Sequence, residues 1–240
     1  MSVPDVIERL RAIESASPPS NGVACFARLY REVTEGVNAE LAKRNVAAAR
    51  FITELDVCFA GLFFSAHDAY QRKPGSEPPA WRPLFGGQSA RGVAPLQFAL
   101  AGMNAHINRD LPVALVTTCR ALMLDLNERS PEHADYVRVN ALLAQVEQKV
   151  KRSYVTGWLS VVDRAVHRLD RIDDVVAMWD VARARDAAWT NAQALWALRG
   201  DATLESRFLQ TLDRMVGLAS RGFLIPADSL LQKLGRHLRL

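Results

Sequence analysis

The sequence has few of the features that mark membrane, secreted or redox proteins. Its longest uncharged apolar stretch, VCFAGLFFSA at 57–66, is about half of the roughly 20 residues needed to cross a bilayer. The N-terminal segment is charged and lacks the apolar centre of a secretory signal, which predicts a cytoplasmic protein. Only three cysteines occur, without CxxC spacing, and we expect Cys25, Cys58 and Cys119 to be buried thiols.

The motifs of several well-defined functional classes are also missing. There is no GxGxxG, GxxxxGK[ST], HExxH or GxSxG pattern, which argues against the dinucleotide-binding, P-loop, zinc-protease and serine-hydrolase classes that carry them. The net charge is +4, but the basic residues are scattered among acids. Only KVKR at 149–152 and LGRHLRL at the C-terminus concentrate positive charge, without interleaved aromatics, so we expect no nucleic-acid partner and no membrane partner.

The sequence does contain long segments with helical periodicity. Pro, Gly and Asn separate segments in which apolar residues recur every three or four positions, and no stretch sustains the alternation of a strand. This pattern predicts an all-α fold, one globular domain over residues 1–240 with about eight helices. The expected helices cover about 4–15, 21–43, 46–72, 93–109, 112–127, 130–168, 173–198, 202–220 and 226–238. Pro112 marks either a kink in the central helix or the first turn of a new one.

A Pro- and Gly-rich segment at about 73–92 predicts one long loop. Connections of this length inside a compact domain are often functional. Trp81 lies within it, and a tryptophan needs burial that a loop alone does not provide. We therefore expect Trp81 either to anchor the loop on the helices or to cover a cleft.

The sharpest chemical signal is AGMNAHINRDL at 101–111. His106 and Asp110 are four residues apart on one helix face, where they can bond each other or hold one metal ion. Asn104 and Asn108 form a second such pair on the nearly opposite face. At least one of these polar faces should point into a polar pocket or a satisfied network. The simpler alternatives are that Asp110 caps the next helix and that His106 is a core histidine bonded to a backbone carbonyl.

Asp56 is a second candidate because it lies in LDVCFAGLFF, where a helix would be buried nearly all round. A buried carboxylate is costly unless a partner or a metal satisfies it, and here the partner must come from another helix. An arginine of the segment 178–196 is one candidate partner. Arg183 belongs to a charged and aromatic stripe there, and Arg185 and Trp189 have the spacing of a cation–π pair.

Several of these motifs together resemble a bacterial family whose domain has unknown function. The motifs are LDVCFAGLFFSAHDAY, WRPLF and, most specifically, ALAGMNAHINRDLP, and the resemblance spans about residues 20–200. It implies a single helical domain and carries no reaction, cofactor or catalytic assignment. Six of the residues suspected above on physical grounds lie inside the stretches that carry the resemblance: Asp56, Trp81, Asn104, His106, Asn108 and Asp110.

The leading hypothesis is an enzyme acting on a small apolar molecule in a pocket within the bundle. In its metal-free version His106 is the acid or base, Asp110 orients it, and the reaction is a cyclisation, isomerisation or elimination. We favour this version slightly because zinc sites usually show more nitrogen or sulfur ligands. The residues expected to bind substrate are Asn104, Asn108, Trp81, Phe59, Phe63, Met103 and Arg183, with Phe98 in the pocket wall.

Two alternatives stay open at this level. A metal-dependent hydrolase or oxygenase would hold one divalent ion with His106, Asp110 and Asp56. A non-catalytic helical protein would use the same polar residues only to fix helix register or to orient a ligand. Under either reading, a homodimer through the C-terminal helix is an alternative to a monomer, with Leu230, Leu231, Leu234 and Leu238 on its apolar face.

Overall fold

The computed structural model describes residues 1–42, 47–140, 143 and 180–226, and all regular secondary structure in these ranges is helical. The predicted all-α class is confirmed. The elements are α1 (Val3–Ser15), α2 (Gly22–Leu41), α3 (Ala49–Arg72), α4 (Arg82–Gly87), α5 (Pro95–Ala105), a π-helical turn (His106–Asp110), α6 (Leu111–Leu122), α7 (131–140), α8 (Val181–Leu198) and α9 (Ala202–Phe223). None of these helices is both long enough and apolar enough to cross a bilayer.

Side-chain caps explain where several helices begin. Ser2 caps α1 and exchanges bonds with Asp5 in a capping box. The Ser130 hydroxyl accepts the His133 N–H at 3.1 Å, which confirms the predicted start of α7. Asp201 does the same for the first turn of α9.

The centre of the bundle is built around α5 and the elements that pack on it. Helix α2 lies against α1 and α5, α3 lies against α6, and α9 covers α5 on another side. Aromatic rings from α2 and α3 meet at the middle, where Phe26 and Phe63 contact edge to face at 4.9 Å between centroids. The close approach of α2 to α5 depends on Gly102, because a Cβ at that position would lie 2.4 Å from the Phe26 ring.

The long segment between α3 and α5 is mostly irregular, as predicted, but it contains the short helix α4. Trp81, just before α4, is fully buried among the core aromatics and stacks on Phe85 at 5.3 Å. It therefore anchors the loop on the helical body, which is the first of its two predicted roles.

The central helix widens by one residue where α5 passes into α6. The Leu111 N–H bonds the His106 carbonyl, five residues back, instead of the carbonyl four residues back. In a regular α-helix the ring of Pro112 would press on the carbonyl of Asn108, and a wider turn removes that clash. Pro112 lies in the first turn of α6, one of its two predicted positions. The turn begins at His106 and ends at Asp110. Such π-helical turns occur frequently at functional sites.

One predicted boundary is wrong, and others lie outside the described residues. Helix α6 ends at Leu122 rather than near Asn127, because Met123 adopts a left-handed conformation with φ 55°. The predicted course of the chain over 144–179 and the C-terminal helix at 226–238, with its leucines, fall almost entirely outside the part of the chain that the structure describes.

Candidate active site

His106 and Asp110 form a fully buried dyad across the π-helical turn. Nδ1 of His106 lies 3.1 Å from Oδ2 of Asp110, and neither side chain is accessible to solvent. The simpler alternatives are wrong: Asp110 makes no side-chain cap to α6, and the imidazole bonds a carboxylate rather than a backbone carbonyl. With this acceptor at Nδ1, the neutral ring carries its proton there and leaves Nε2 as a base.

Further donors hold the Asp110 carboxylate in place. The indole Nε1 of Trp81 donates to Oδ2 at 3.1 Å, and Nη1 of Arg109 donates to Oδ1 at 2.9 Å. Arg109 also donates from Nε to Asp213 on α9 at 3.2 Å. Both oxygens of Asp110 are therefore used by protein donors, which fixes the orientation of the carboxylate and of the imidazole bonded to it.

Aromatic rings enclose His106 on several sides. The ring of Phe59 lies parallel to the imidazole with 3.5 Å between centroids, and the ring of Tyr30 meets it edge to face at 4.6 Å. Burial in this apolar shell lowers the pKa of His106, while the hydrogen bond and charge of Asp110 act in the opposite direction. The environment therefore favours the neutral imidazole.

Two polar atoms in this shell have no hydrogen-bond partner within the described part of the chain. They are Nε2 of His106 and the hydroxyl oxygen of Tyr30, and both are buried. Burial, and next the negative charge of Asp56, raise the pKa of Tyr30 well above its usual value, so that its hydroxyl keeps its proton. An unsatisfied buried polar group costs about 1–3 kcal/mol, so two neighbouring ones call for an explanation.

Both atoms belong to residues that line an internal cavity of about 80 Å³. An adjoining cavity of about 150 Å³ shares part of its lining, including Asp56, Phe59 and Arg185. Met103 lines the smaller cavity, and the remaining wall residues are mostly aliphatic. Apolar cavities of about 150 Å³ are large enough for compounds of about the size of benzene.

Asp56 lies in the wall of both cavities and is partly buried. No hydrogen bond or ion pair to its carboxylate is present among the described residues. Burial raises the pKa of Asp56 to about 6, and the positive charge of Arg185 opposes that shift. The carboxyl is therefore half protonated near pH 6 and mostly ionised at pH 7, whereas an ordinary Asp is already ionised well below pH 6.

Arg185, and not Arg183, is the arginine of α8 that faces Asp56. Nε of Arg185 donates to Oδ1 of Asn140, and its guanidinium lies over the Tyr136 ring at 4.3 Å rather than over Trp189. Arg183 points away from the core: its side chain is 88% exposed and pairs with Asp180 at 3.4 Å. The structure thus does not bring Arg183 to the cavities.

Asn104 and Asn108 lie toward α9 and do not line either cavity. Nδ2 of Asn104 donates to the Val216 carbonyl at 3.1 Å and to Oγ of Ser220 at 2.9 Å. Asn108 donates to Oδ1 of Asn104 at 3.0 Å. One polar face of the central helix therefore enters a satisfied interhelix network, and the other carries the buried His106–Asp110 pair, of which His106 lines the smaller cavity.

The predicted apolar lining is only partly assembled. Phe59 and Met103 lie in the cavity wall, whereas Phe63, Phe98 and Trp81 pack in the surrounding core. Tyr30 and the cationic Arg185 are wall residues that sequence reasoning did not assign to the site. Tyr30 lies among the apolar positions of α2, and its hydroxyl group is the feature of the sequence that could have indicated a role in the site.

The three ligands of the metal alternative do not assemble. Among the residues that the structure describes, no three His, Cys, Asp or Glu side chains lie close enough together to hold a metal ion. Moreover, the oxygens of Asp110 accept bonds from Trp81, Arg109 and His106, which a metal ion would have to displace. The donor chemistry around the dyad suits proton transfer better than metal binding.

Comparison with known proteins agrees with the resemblance seen in the motifs. Residues 3–226 match a family of unknown function, DUF5995. The chain matches no curated protein and no solved structure. Since the match covers nearly the whole sequence, from the first helix to the end of the described part, the chain belongs to this family of unknown function.

Proposed function

We propose that the protein is an enzyme that moves protons on a small, largely apolar molecule inside the bundle. His106 is the general base, Asp110 orients it and stabilises the imidazolium that forms, and Asp56 is the candidate acid. The reaction class is an isomerisation, cyclisation or elimination, because in each the protein supplies only proton transfers, and the other bonds form or break within the substrate, with the departing group of an elimination protonated by the acid.

The observation that carries the proposal is the state of the His106 ring. One nitrogen is held by a carboxylate that is itself fixed by Trp81 and Arg109, and the other is unpaired in a cavity wall within the described part of the chain. A histidine that served only the packing of the core would gain from a partner on both nitrogens. A base oriented through one nitrogen and free on the other has the geometry that general-base catalysis requires.

Asp56 supports the same chemistry from another helix. It lines the same cavity as His106 and its pKa is raised to about 6. A carboxyl group with a raised pKa can donate a proton near neutral pH, while the neutral imidazole accepts one. Near pH 6 about half of the Asp56 carboxyls carry a proton while burial favours the neutral His106 ring, so an acid and a base line the same cavity.

The proposal is tested by proton exchange, an experiment that works without an identified substrate. The purified protein is incubated in D₂O with a mixture of small metabolites extracted from bacteria, and mass spectrometry detects compounds that gain deuterium on carbon. His106→Asn keeps an amide N–H that can bond Asp110 but lacks the atom at Nε2. His133→Asn is the matched control, because His133 is a partly buried residue of α7 that lines neither cavity and bonds the Glu128 carbonyl.

We expect deuterium incorporation with the wild type and with His133→Asn, and its loss with His106→Asn. Thermal denaturation of each variant separates loss of function from loss of folding. Equal labelling by the wild type and a folded His106→Asn would overturn the proposal. That result would favour the non-catalytic alternative, a helical protein that holds a ligand in the same cavity.

A further inference from the structure

We infer that the substrate is a small carbonyl compound with a C–H bond next to the carbonyl, and that Tyr30 is a catalytic residue that binds the carbonyl oxygen. This inference rests on the proposed function of His106 and extends it to a substrate class and a first chemical step. Tyr30 and His106 come from α2 and from the π-helical turn, 76 positions apart in the sequence (106 − 30).

The structure places a hydrogen-bond donor and an acceptor, both without a partner among the described residues, on two neighbouring rings. The Tyr30 and His106 rings are 4.6 Å apart at an interplanar angle of 64°, yet neither the hydroxyl nor Nε2 has a partner in the ranges described. Both residues line the smaller cavity. If the hydroxyl bonded Nε2 directly, both atoms would be satisfied; instead each is left to a third group, which is the position of a ligand.

The chemistry of the two atoms defines what that ligand must offer. Because burial keeps the phenol protonated, Tyr30 donates a hydrogen bond, and Nε2 of the neutral His106 accepts one. A ligand that completes both must place a hydrogen-bond acceptor next to a removable proton. A carbonyl oxygen and the C–H on the adjacent carbon have this arrangement.

An alcohol would also fit both atoms, but its reaction needs more than these two residues. Removal of the alcohol proton leads to a product only when a hydride acceptor or an electrophile takes part as well. Enolisation needs only a base at the C–H and a donor at the oxygen, which His106 and Tyr30 are. This difference decides between the two ligands in favour of the carbonyl compound.

The proposed step balances within the site. The C–H bond breaks and its proton moves to Nε2 of His106. The electron pair of that bond forms a C=C bond, and the π pair of the carbonyl moves onto the oxygen, which accepts the hydrogen bond of Tyr30. The imidazolium is stabilised by Asp110 on Nδ1. Return of the proton to the same carbon completes hydrogen exchange, and in a substrate with a C=C bond conjugated to the enolate its return to the far carbon of that bond completes an isomerisation; both regenerate neutral His106.

The apolar shell favours this step. The enolate oxygen develops its charge next to a buried donor, and the apolar side chains of Phe59 and Met103 line the same cavity. The cavity of about 80 Å³ that both residues line suits a ketone of a few heavy atoms, and the adjoining cavity of about 150 Å³, which shares Asp56 and Phe59, gives room for a ring ketone of up to about seven heavy atoms.

The test is hydrogen exchange at the carbon next to the carbonyl of three probe ketones: acetone, cyclopentanone and cyclohexanone. Each is incubated with the full chain in D₂O, and the loss of the proton signal is followed by NMR. Four proteins are compared: wild type, Tyr30→Phe, His106→Asn and Tyr70→Phe. Tyr70→Phe is the matched control, because its hydroxyl contacts Gln88 and Tyr70 does not line either cavity.

We expect the wild type and Tyr70→Phe to accelerate exchange of at least one ketone. His106→Asn should abolish the acceleration, and Tyr30→Phe should lower it roughly 100-fold, as the loss of one donor to a developing oxyanion does. Tyr30→Phe should melt at or above the wild-type temperature, since it removes a buried hydroxyl for which the described residues offer no partner.

Two results would overturn the inference. Exchange that requires His106 but is unchanged in a folded Tyr30→Phe removes Tyr30 from the mechanism and leaves the proposed function standing. No acceleration of any of the ketones by the wild type removes the carbonyl substrate class. In that case the metabolite experiment with His106→Asn decides separately whether proton transfer itself is retained.

Discussion

Replacement of Asp110 by Asn is the most informative stability experiment, because the structure predicts a large cost for the exchange of one oxygen for an NH₂ group. Oδ2 of Asp110 accepts bonds from Trp81 and His106, and Oδ1 accepts from Arg109. If the amide oxygen of Asn takes the Oδ2 position, its NH₂ group faces the guanidinium. If it takes the Oδ1 position, the NH₂ group faces the indole N–H.

Either orientation therefore leaves opposed donors in a fully buried place and removes the charge that pairs with Arg109. A buried donor without a partner costs about 1–3 kcal/mol, and breaking a buried charge pair about 3–5 kcal/mol. Arg109 keeps Asp213 as a second partner, which reduces the loss. We expect Asp110→Asn to lower the free energy of unfolding by about 3 kcal/mol, and the melting temperature by about 6–12 °C for a chain of this length.

Urea denaturation gives the free energy, and circular dichroism gives the melting temperature. Asp68→Asn is the control, because the Asp68 side chain is 49% exposed and its ion pair with Arg9 lies at the surface, where such pairs contribute about 0–1 kcal/mol. If Asp110→Asn stays within about 0.5 kcal/mol of the wild type, the three-donor arrangement around this carboxylate is wrong.

Three further predictions concern the groups around the cavity. Tyr30→Phe should leave the free energy of unfolding unchanged or raise it by up to about 2 kcal/mol. Tyr136→Phe should lower it by about 1 kcal/mol, because the Tyr136 hydroxyl donates a 2.7 Å bond to the Arg185 carbonyl. Urea denaturation of both variants measures the difference. Because the pKa of Asp56 is raised to about 6 in the folded state, the native protein binds its proton more tightly than the unfolded chain does, and this group makes stability fall as pH rises from about 4 to 6. Asp56→Asn should therefore be more stable than the wild type at pH 7.5, by at most about 3 kcal/mol, with the gain vanishing near pH 4; equal unfolding curves at both pH values would contradict this. Asn104→Ala should lower the free energy of unfolding by about 2–4 kcal/mol in urea, because it removes two bonds between α5 and α9 and the acceptor of Asn108, and leaves only the Ser220 bond to the Ala101 carbonyl in this network.

The helical architecture was predictable where local signals are strong. Helix α7 begins at the expected residue because the Ser130 hydroxyl and Pro131 specify a first turn through short-range chemistry. The end of α6 was not predictable in the same way. Met123 adopts a left-handed conformation that is most common for glycine, and a methionine in the sequence does not indicate such a conformation.

The site was predictable to the extent that it is local. His106 and Asp110 are four residues apart, so their bond follows from helical spacing alone. The indole that shares the same carboxylate is 29 positions away in the sequence (110 − 81), and only the packed fold brings it there. The role of Tyr30 was not predictable, because the sequence indicates only a core residue of α2 and does not show whether its buried hydroxyl makes a hydrogen bond.

Helix geometry explains why Arg185, and not the predicted Arg183, lines the cavities. The buried positions of α8 include Val181, Ala188 and Ala192, which follow helical spacing, and Arg185 falls on that face. Arg183 lies about 200° away around the axis and points to solvent. The helical spacing of the small apolar residues, rather than the charged stripe, indicates which arginine lies on the buried face of α8.

The protonation of His106 tests the central claim most directly. Nitrogen-15 NMR of the imidazole, assigned by comparison with His106→Asn, reports which ring nitrogen carries a proton at each pH. We expect a neutral ring at pH 7, protonated on Nδ1 toward Asp110 and unprotonated on Nε2, with a pKa below the ordinary histidine value. A proton on Nε2 at pH 7, in either the other tautomer or an imidazolium, would leave no base facing the cavity and would contradict the account.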